Sequence, residues 1–158
     1  MTVLFENTAG QGTCLGHRIE HLAAIIERVK NPSWLGICFD TCHAFAAGYP
    51  LTRAEDYAAT FDQFDTVIGL ERLKLFHVND SVKPFGSRVG RHAGLGRGEI
   101  GLEAFRRLVC DPRFRELLMI LETPKEDDDG NPMDPVTLGI LRGFLSAKSP
   151  ARARKPRR

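Results

Sequence analysis

Four short apolar runs recur along the chain, and each is followed by a segment with helical spacing. The runs occupy residues 3–5, 35–39, 73–76 and 117–121. Each has the length of a strand that is buried on both faces, as the strands of a parallel sheet are. The pattern therefore predicts four parallel strands.

The segments between these runs carry apolar residues at intervals of three and four, which predicts amphipathic helices. The sequence Thr52-Arg53-Ala54-Glu55 is a capping-box signature, and Asp134-Pro135 offers an N-cap followed by a proline at the first helical position. The helical stripes are Ile19, Leu22, Ala23, Ile26 and Val29; Ala58, Phe61, Phe64 and Ile68; Leu102, Phe105, Leu108 and Val109; Ile140, Leu141, Phe144 and Leu145. The element order is βα repeated four times, which favours an α/β fold with a parallel sheet covered by helices.

Composition narrows the class of protein further. The 158 residues are 42% hydrophobic, which is too apolar for a chain that stays unfolded. No run approaches the roughly 20 apolar residues that cross a bilayer, so we expect no membrane association. The four cysteines form no Cys-x-x-Cys pair and no signal peptide is visible, which favours reduced thiols in a cytoplasmic protein.

Charge divides the chain into two parts. Residues 147–158 hold 6 of the 22 basic residues and no acidic residue, whereas residues 1–146 hold 16 basic and 20 acidic residues. We therefore expect a folded, mildly acidic domain over 1–146 and a basic, disordered tail over 147–158. The tail either contributes nonspecific contacts to phosphates or is solvated without a role.

A potential metal ligand follows each of the four apolar runs. These residues are Glu6, Asp40, His77 and Glu122. The carboxyl ends of parallel strands meet at one edge of the sheet, where α/β folds place their active sites. Three carboxylates and one imidazole suit Zn²⁺ or Mn²⁺. A single acidic residue at a strand end is usually a cap or a surface charge, but four in succession predict a metal site.

Two more histidines lie close to these positions in the sequence. His43 comes three residues after Asp40, and His92 lies in the loop that follows the third run. Clustered carboxylates repel one another in a dry cleft, and a divalent cation removes that cost. His17 and His21, near the start of the first helix, are interpreted as surface residues.

Taken in order, these motifs resemble the C-terminal half of the endonuclease IV family, the metal-dependent apurinic/apyrimidinic endonucleases. The matching segments are residues 6–12, 36–49, 77–81, 86–92 and 121–124. The second segment contains Asp40-Thr41-Cys42-His43, and the third begins with His77-Val78-Asn79. These two segments are the most specific part of the resemblance, which extends to about residue 145.

The resemblance implies a TIM-barrel fold, of which this chain holds about four βα units, the C-terminal half of a (β/α)₈ barrel. It also implies zinc-dependent hydrolysis of the phosphodiester on the 5′ side of an abasic site, in DNA repair. By motif, Glu6 bridges two metals and Asp40, His77 and Glu122 complete one of those sites, while His43 and His92 bind a third metal. Glu122 and Glu6 are the expected catalytic residues, with Glu122 orienting the attacking water.

The sequence departs from the family at two places. Gly90 stands where the family carries an aspartate ligand, and the family's N-terminal half, which supplies two further histidines, has no counterpart here. We therefore expect fewer than the family's three Zn²⁺ ions, with Mn²⁺ as the alternative metal, and a truncated protein. Arg88 and Arg91 flank the His92 loop and are the expected contacts to the DNA backbone.

Three interpretations remain open at this stage. The chain is an abasic-site endonuclease, an inactive half-barrel fragment with residual metal or DNA binding, or a metalloenzyme similar to a sugar isomerase. Half a barrel leaves two strand edges unpaired, and exposed edges promote association. The expected partners are therefore DNA containing abasic sites, together with either a second copy or a separate N-terminal half-barrel.

Overall fold

A computed structural model describes residues 1–146, so the predicted basic tail over 147–158 lies outside the described residues. This part of the chain forms five α-helices and six strands. The strands are β1 Val3–Glu6, β2 Leu35–Asp40, β3 Leu73–His77, β4 Asp80–Ser81, β5 His92–Ala93 and β6 Leu118–Ile120. The helices are α1 Ile19–Arg28, α2 Thr41–Ala47, α3 Ala54–Val67, α4 Leu102–Cys110 and α5 Asp134–Ser146.

The four predicted strands form one parallel sheet in the order β1-β2-β3-β6, which confirms the predicted α/β fold. Glu6 pairs with Cys38, Asp40 pairs with His77, and His77 pairs with Ile120. This register keeps the carboxyl ends of neighbouring strands within two residues of the same level. The side chains at the strand ends therefore meet at one edge of the sheet.

The core lies between the sheet and the helices that cover one of its faces. Its centre is a cluster of phenylalanine rings from β2, α3, β3 and the turn before β6: Phe39, Phe61, Phe64, Phe76 and Phe114. Neighbouring ring centroids lie 4.8 to 6.1 Å apart in tilted or edge-on contacts, the spacing that aromatic pairs prefer. This packing fixes the strands whose ends carry the candidate ligands.

The edge strand β6 differs from the expectation that all four strands are buried on both faces. Leu118 is 68% exposed and Ile120 is 44% exposed, whereas every residue of β2 is buried. No strand lies beyond β6 among residues 1–146. Exposed apolar residues on an edge strand are typical of a sheet that lacks its neighbour.

Smaller elements also depart from the predictions. The capping box places a helix start at Thr52, but α3 begins at Ala54 with Arg53 as its N-cap and no side-chain capping bond. The carbonyl of Thr52 instead accepts a hydrogen bond from Arg107, 2.8 Å away on α4. The helix α2 and the small antiparallel pair of β4 and β5 were not predicted. No helix within the described part of the chain is long and apolar enough to span a membrane.

Candidate metal centre

The candidate ligands at the four strand ends converge, with three carboxylates around the imidazole of His77. Its Nδ1 lies 3.2 Å from Glu6 Oε1, 3.2 Å from Glu122 Oε2 and 3.9 Å from Asp40 Oδ2. Asp40 is fully buried, while Glu6 and Glu122 are partly open to solvent. The parallel register places these side chains on one side of the sheet, so the structure brings all four together, as the sequence predicts.

Two further imidazoles reach the same carboxylate from α2 and β5. His92 Nε2 lies 3.5 Å from Asp40 Oδ2, and His43 Nδ1 lies 3.8 Å from Asp40 Oδ1. Asp40 caps α2 by accepting a hydrogen bond from the His43 amide at 2.7 Å, which orients the first turn of that helix. All six candidate ligands named from the sequence therefore belong to one cluster, with Asp40 at its centre.

Two buried asparagines hold Asp40 in place, and neither was predicted from the sequence to have a role. Asn79 Nδ2 donates to Asp40 Oδ2 at 2.7 Å, and Asn79 Oδ1 accepts from the Glu122 amide at 2.9 Å. Asn7 Oδ1 accepts from the Asp40 amide at 2.7 Å, and Asn7 Nδ2 donates to the Asp40 carbonyl at 3.1 Å. Each asparagine thus joins neighbouring strand ends and fixes the positions of the ligands they carry.

Burial and neighbouring charges shift the pKa values of the cluster's side chains in opposite directions. Burial raises the pKa of Asp40 above its usual value, because the nearby imidazoles only partly offset the loss of solvation. Burial also opposes ionisation of Glu6, but hydrogen bonds and charges from His43 and His77 outweigh it and lower the pKa of Glu6. The pKa of His43 is raised because Glu6 and Asp40 outweigh the effect of its burial. The carboxylates of the cluster therefore stabilise a positive charge that is placed between them.

Cys38 lies beside Glu6 and His77 but is a poor candidate ligand. Burial raises the pKa of its thiol to about 12, and the nearby carboxylates add to that rise. A thiol in this state stays protonated near neutral pH, whereas metals bind the thiolate. Oxygen and nitrogen donors therefore define the candidate centre.

The arrangement suits a divalent cation. Donors that surround zinc at 2.0–2.1 Å in a tetrahedron lie about 3.3 Å from one another. The contacts of 3.2 Å between His77 Nδ1 and the oxygens of Glu6 and Glu122 are close to that spacing. With Cys38 set aside, the donors within 4.8 Å of one another form two groups that share Asp40: Glu6, Asp40, His77 and Glu122; Asp40, His43 and His92.

The loop between β4 and β5 borders this cluster. Arg88 has a φ of 57°, a left-handed conformation that is uncommon for a residue with a side chain, and its amide donates to Ala46 at 2.8 Å. Its guanidinium lies 2.6 Å from Nε2 of His17. Arg88 and Arg91 are both exposed, so they lie at the surface next to the cluster.

Comparisons with known proteins show which proteins the chain resembles. A family model described as a xylose isomerase-like TIM barrel matches residues 1–142. "Probable endonuclease 4" of Chloroflexus aurantiacus is 54% identical over 143 residues, which are 90% of this chain and 50% of that protein. "Probable endonuclease 4" of Geobacter sulfurreducens is 50% identical over 154 residues, or 98% of this chain and 51% of that protein.

A solved structure shows the same likeness. The crystal structure of endonuclease IV from Thermus thermophilus superposes with a TM-score of 0.78 at 42% identity. The match covers 91% of this chain and 49% of the Thermus chain. The chain thus spans about half the length of these relatives.

Proposed function

The chain belongs to the xylose isomerase-like TIM barrel family, and from this membership and its likeness to endonuclease IV proteins we propose that it is a zinc-dependent phosphodiesterase of the endonuclease IV type. Its proposed substrate is DNA with an abasic site, cleaved on the 5′ side of the lesion. The observation that carries the proposal is the convergence of three carboxylates and three imidazoles at one edge of the sheet.

The donor set supports zinc as the metal. Imidazole and carboxylate donors bind Zn²⁺ well, with Mn²⁺ as the alternative, and the protonated thiol of Cys38 adds no soft ligand. Glu6, Asp40, His77 and Glu122 would hold one ion, and His43 and His92 would contribute to a second. The number of ions is therefore proposed to be below three.

Each acidic residue of the cluster has a role in the proposed hydrolysis. When bound, zinc supplies Lewis acidity, which favours deprotonation of water and neutralises charge that develops on a phosphate. Glu6 Oε1 lies 3.2 Å from Nδ1 of both His43 and His77, so this carboxylate spans the two sides of the cluster. The Glu122 carboxylate is 42% exposed, and Asn79 fixes its backbone. Glu122 can therefore accept a hydrogen bond from the attacking water and orient it towards the phosphate.

Contacts to the DNA backbone are proposed for Arg88 and Arg91. Both side chains are exposed beside the cluster, and guanidinium groups bind phosphate oxygens well. Such contacts would position the duplex without reading its sequence. They would also place positive charge beside the metal centre, although the domain of residues 1–146 as a whole holds more acidic than basic groups.

Metal-dependent incision is the direct test of this function. We expect the full chain with Zn²⁺ to cut a duplex that contains a synthetic abasic site and to leave a 3′-hydroxyl, and we expect a chelator to abolish cleavage. Glu122→Gln should lower the rate by about 100-fold or more, because it removes an acceptor for the attacking water. Glu116→Gln, an exposed carboxylate outside the cluster, is the matched control and should leave the rate unchanged.

The outcome also separates the competing functions. A folded, zinc-loaded chain that leaves the abasic duplex intact would support the alternative of an inactive half-barrel. Metal-dependent conversion of an aldose to a ketose would instead support an activity like that of a sugar isomerase. Equal loss of incision in Glu122→Gln and Glu116→Gln would contradict the role given to Glu122.

We further propose that a second copy of the chain pairs with the free strand edges of the sheet. Leu118 and Ile120 of β6 are exposed, and β1 and β6 both have a free edge within residues 1–146. Pairing β6 of one copy with β1 of the other, twice, joins two four-stranded sheets into eight parallel strands. Eight is the number that a barrel of this family contains.

Sedimentation equilibrium tests this assembly. We expect the full chain to sediment at twice its mass of 17.6 kDa and the Leu118→Lys variant to sediment as a monomer. Lysine at this position places a charge on the exposed apolar surface of β6, whereas Val136→Lys, on the exposed side of α5, should leave the dimer intact. A folded monomer at all concentrations would exclude the second copy and leave a separate N-terminal half-barrel as the partner to test.

A further inference from the structure

Asp40 is the one carboxylate that belongs to both donor groups of the metal centre. We infer that Asp40 bridges two divalent cations, one held with Glu6, His77 and Glu122 and the other held with His43 and His92. This inference rests on the proposed function only in that it takes the cluster to bind metal. It assigns the connection between the two ions to a specific side chain.

The carboxylate of Asp40 has the capacity for two ions. Its Oδ1 accepts one hydrogen bond from the His43 amide and its Oδ2 accepts one from Asn79, both at 2.7 Å. A carboxylate offers about four acceptor sites, so each oxygen keeps a free lone pair. Oδ2 lies 3.5 Å from Nε2 of His92 and 3.9 Å from Nδ1 of His77, which belong to different donor groups.

The imidazoles of the second group are oriented for a shared ion. His43 Nδ1 lies 3.0 Å from the carbonyl of Asn7, and His92 Nδ1 lies 3.3 Å from the carbonyl of Glu122. A backbone carbonyl at Nδ1 favours the tautomer with the proton on that nitrogen, which leaves Nε2 unprotonated. Nε2 of His92 then lies 3.5 Å from Asp40 Oδ2, free to bind an ion that Asp40 also contacts, while Nε2 of His43 faces Gly90.

The loop beside these histidines places a glycine against His43, where a Cβ would lie only 2.8 Å from Cδ2 of that ring. A Cβ at Gly90 would lie 3.1 Å from Nε2 of His43, so this position faces the second donor group directly. Glycine offers no donor there, and two imidazoles fall one short of the three protein ligands typical of a catalytic zinc site. Among residues 1–146, Asp40 is the acidic or thiol residue grouped with both His43 and His92. Asp40 therefore completes the second site as well as the first.

Manganese provides a readout that depends on the bridge itself. The full chain is titrated with Mn²⁺ and examined by electron paramagnetic resonance, with bound metal counted by equilibrium dialysis. We expect two ions per chain and, at full loading, an exchange-coupled spectrum whose hyperfine spacing is half that of an isolated ion. Two ions with uncoupled spectra, or a single ion per chain, would overturn the inference.

Three variants distinguish a shared ligand from two independent sites. We expect Asp40→Asn to weaken zinc binding at both sites by at least tenfold, as measured by competition with a chromophoric chelator. Glu122→Gln should weaken one site by about tenfold and His92→Ala the other, because each belongs to one donor group. Unchanged affinity of either site in Asp40→Asn would contradict the bridge.

Folding and function are checked separately. Near-ultraviolet circular dichroism establishes whether Asp40→Asn is folded, and if it is not, the manganese spectrum of the unaltered chain decides the question alone. None of these measurements uses DNA. A chain with coupled ions but without incision would support the inference and reject the proposed function. An active chain with uncoupled ions would support the proposed function and reject the inference.

Discussion

We expect replacement of Asp80 by asparagine to lower the free energy of unfolding by about 3 kcal/mol, one of the largest effects of a single substitution in this chain. The Asp80 side chain is fully buried and accepts four backbone hydrogen bonds. Its Oδ1 accepts from the amides of Ser81 and Ile100 at 2.8 and 2.9 Å, and its Oδ2 accepts from those of Gly96 and Gly98 at 2.9 and 3.1 Å.

Asparagine cannot reproduce this arrangement. Its amide nitrogen would face two backbone N–H groups, which would lose their acceptor and meet another donor in a buried site. Gly98 also packs tightly here, since a Cβ at that position would lie 2.6 Å from Asp80 Oδ1, so the loop has little room to adjust. The loop that Asp80 holds follows β5, so His92 should lose part of its support.

Urea denaturation measures the expected loss. The transition midpoint of Asp80→Asn should fall with an unchanged slope, which identifies a change in stability and not in the surface exposed on unfolding. Asp128→Asn, an exposed acid in a turn, is the matched control and should unfold like the unaltered chain. Equal midpoints for Asp80→Asn and Asp128→Asn would show that the four backbone contacts contribute little net stability.

The main strands were predictable because their signals are local. Each of the four apolar runs is short and ends at a polar residue, and the structure confirms a strand at each. The motifs that follow these runs indicated a resemblance to the endonuclease IV family. The comparisons confirm this resemblance over about half of the relatives' length. The parallel order of the strands then accounts for the meeting of Glu6, Asp40, His77 and Glu122.

Features that depend on distant pairing were not predictable. The α2 helix begins directly after β2, and Asp40 serves both as the last strand residue and as the helix cap, so no break in the sequence separates them. Asn7 and Asn79 reach Asp40 across 33 and 39 residues of sequence, and their partners become evident only once the strands are in register. Gly90 differs in this respect, because the resemblance already placed it at the ligand set of His43 and His92, and the structure brings its position next to the His43 ring.

Asn79 and the His43 amide explain how a buried carboxylate is held for two ions. A carboxylate inside the protein needs partners for both oxygens, and the metal centre must also leave lone pairs free. Backbone and amide donors satisfy one lone pair on each oxygen of Asp40 without adding a positive charge that would compete with a metal. The polar contacts around Asp40 therefore serve orientation, while the histidines and the other carboxylates provide the remaining donors.

Replacing Asn79 with alanine is expected to reduce zinc affinity by about 10- to 100-fold, although this side chain is not a proposed ligand. Asn79 donates to Asp40 Oδ2 and accepts from the Glu122 amide, so one side chain sets the positions of two proposed ligands. Alanine removes both contacts and leaves Asp40 with one donor fewer inside the protein. Stability should fall by about 2 kcal/mol as well, because buried polar groups lose their partners.

A second substitution separates positioning from simple loss of packing. Asn79→Asp keeps the volume and the acceptor for Glu122, but it replaces the donor to Asp40 with an oxygen. If positioning of Asp40 matters, Asn79→Asp should lose at least as much zinc affinity as Asn79→Ala while filling the same space. The visible spectrum of the Co²⁺-substituted protein, which reports ligand geometry, should change in both variants and stay unchanged in the exposed control Asn31→Ala. Zinc affinity in Asn79→Asp equal to that of the unaltered chain would show that the hydrogen bond to Asp40 does not set the ligand geometry.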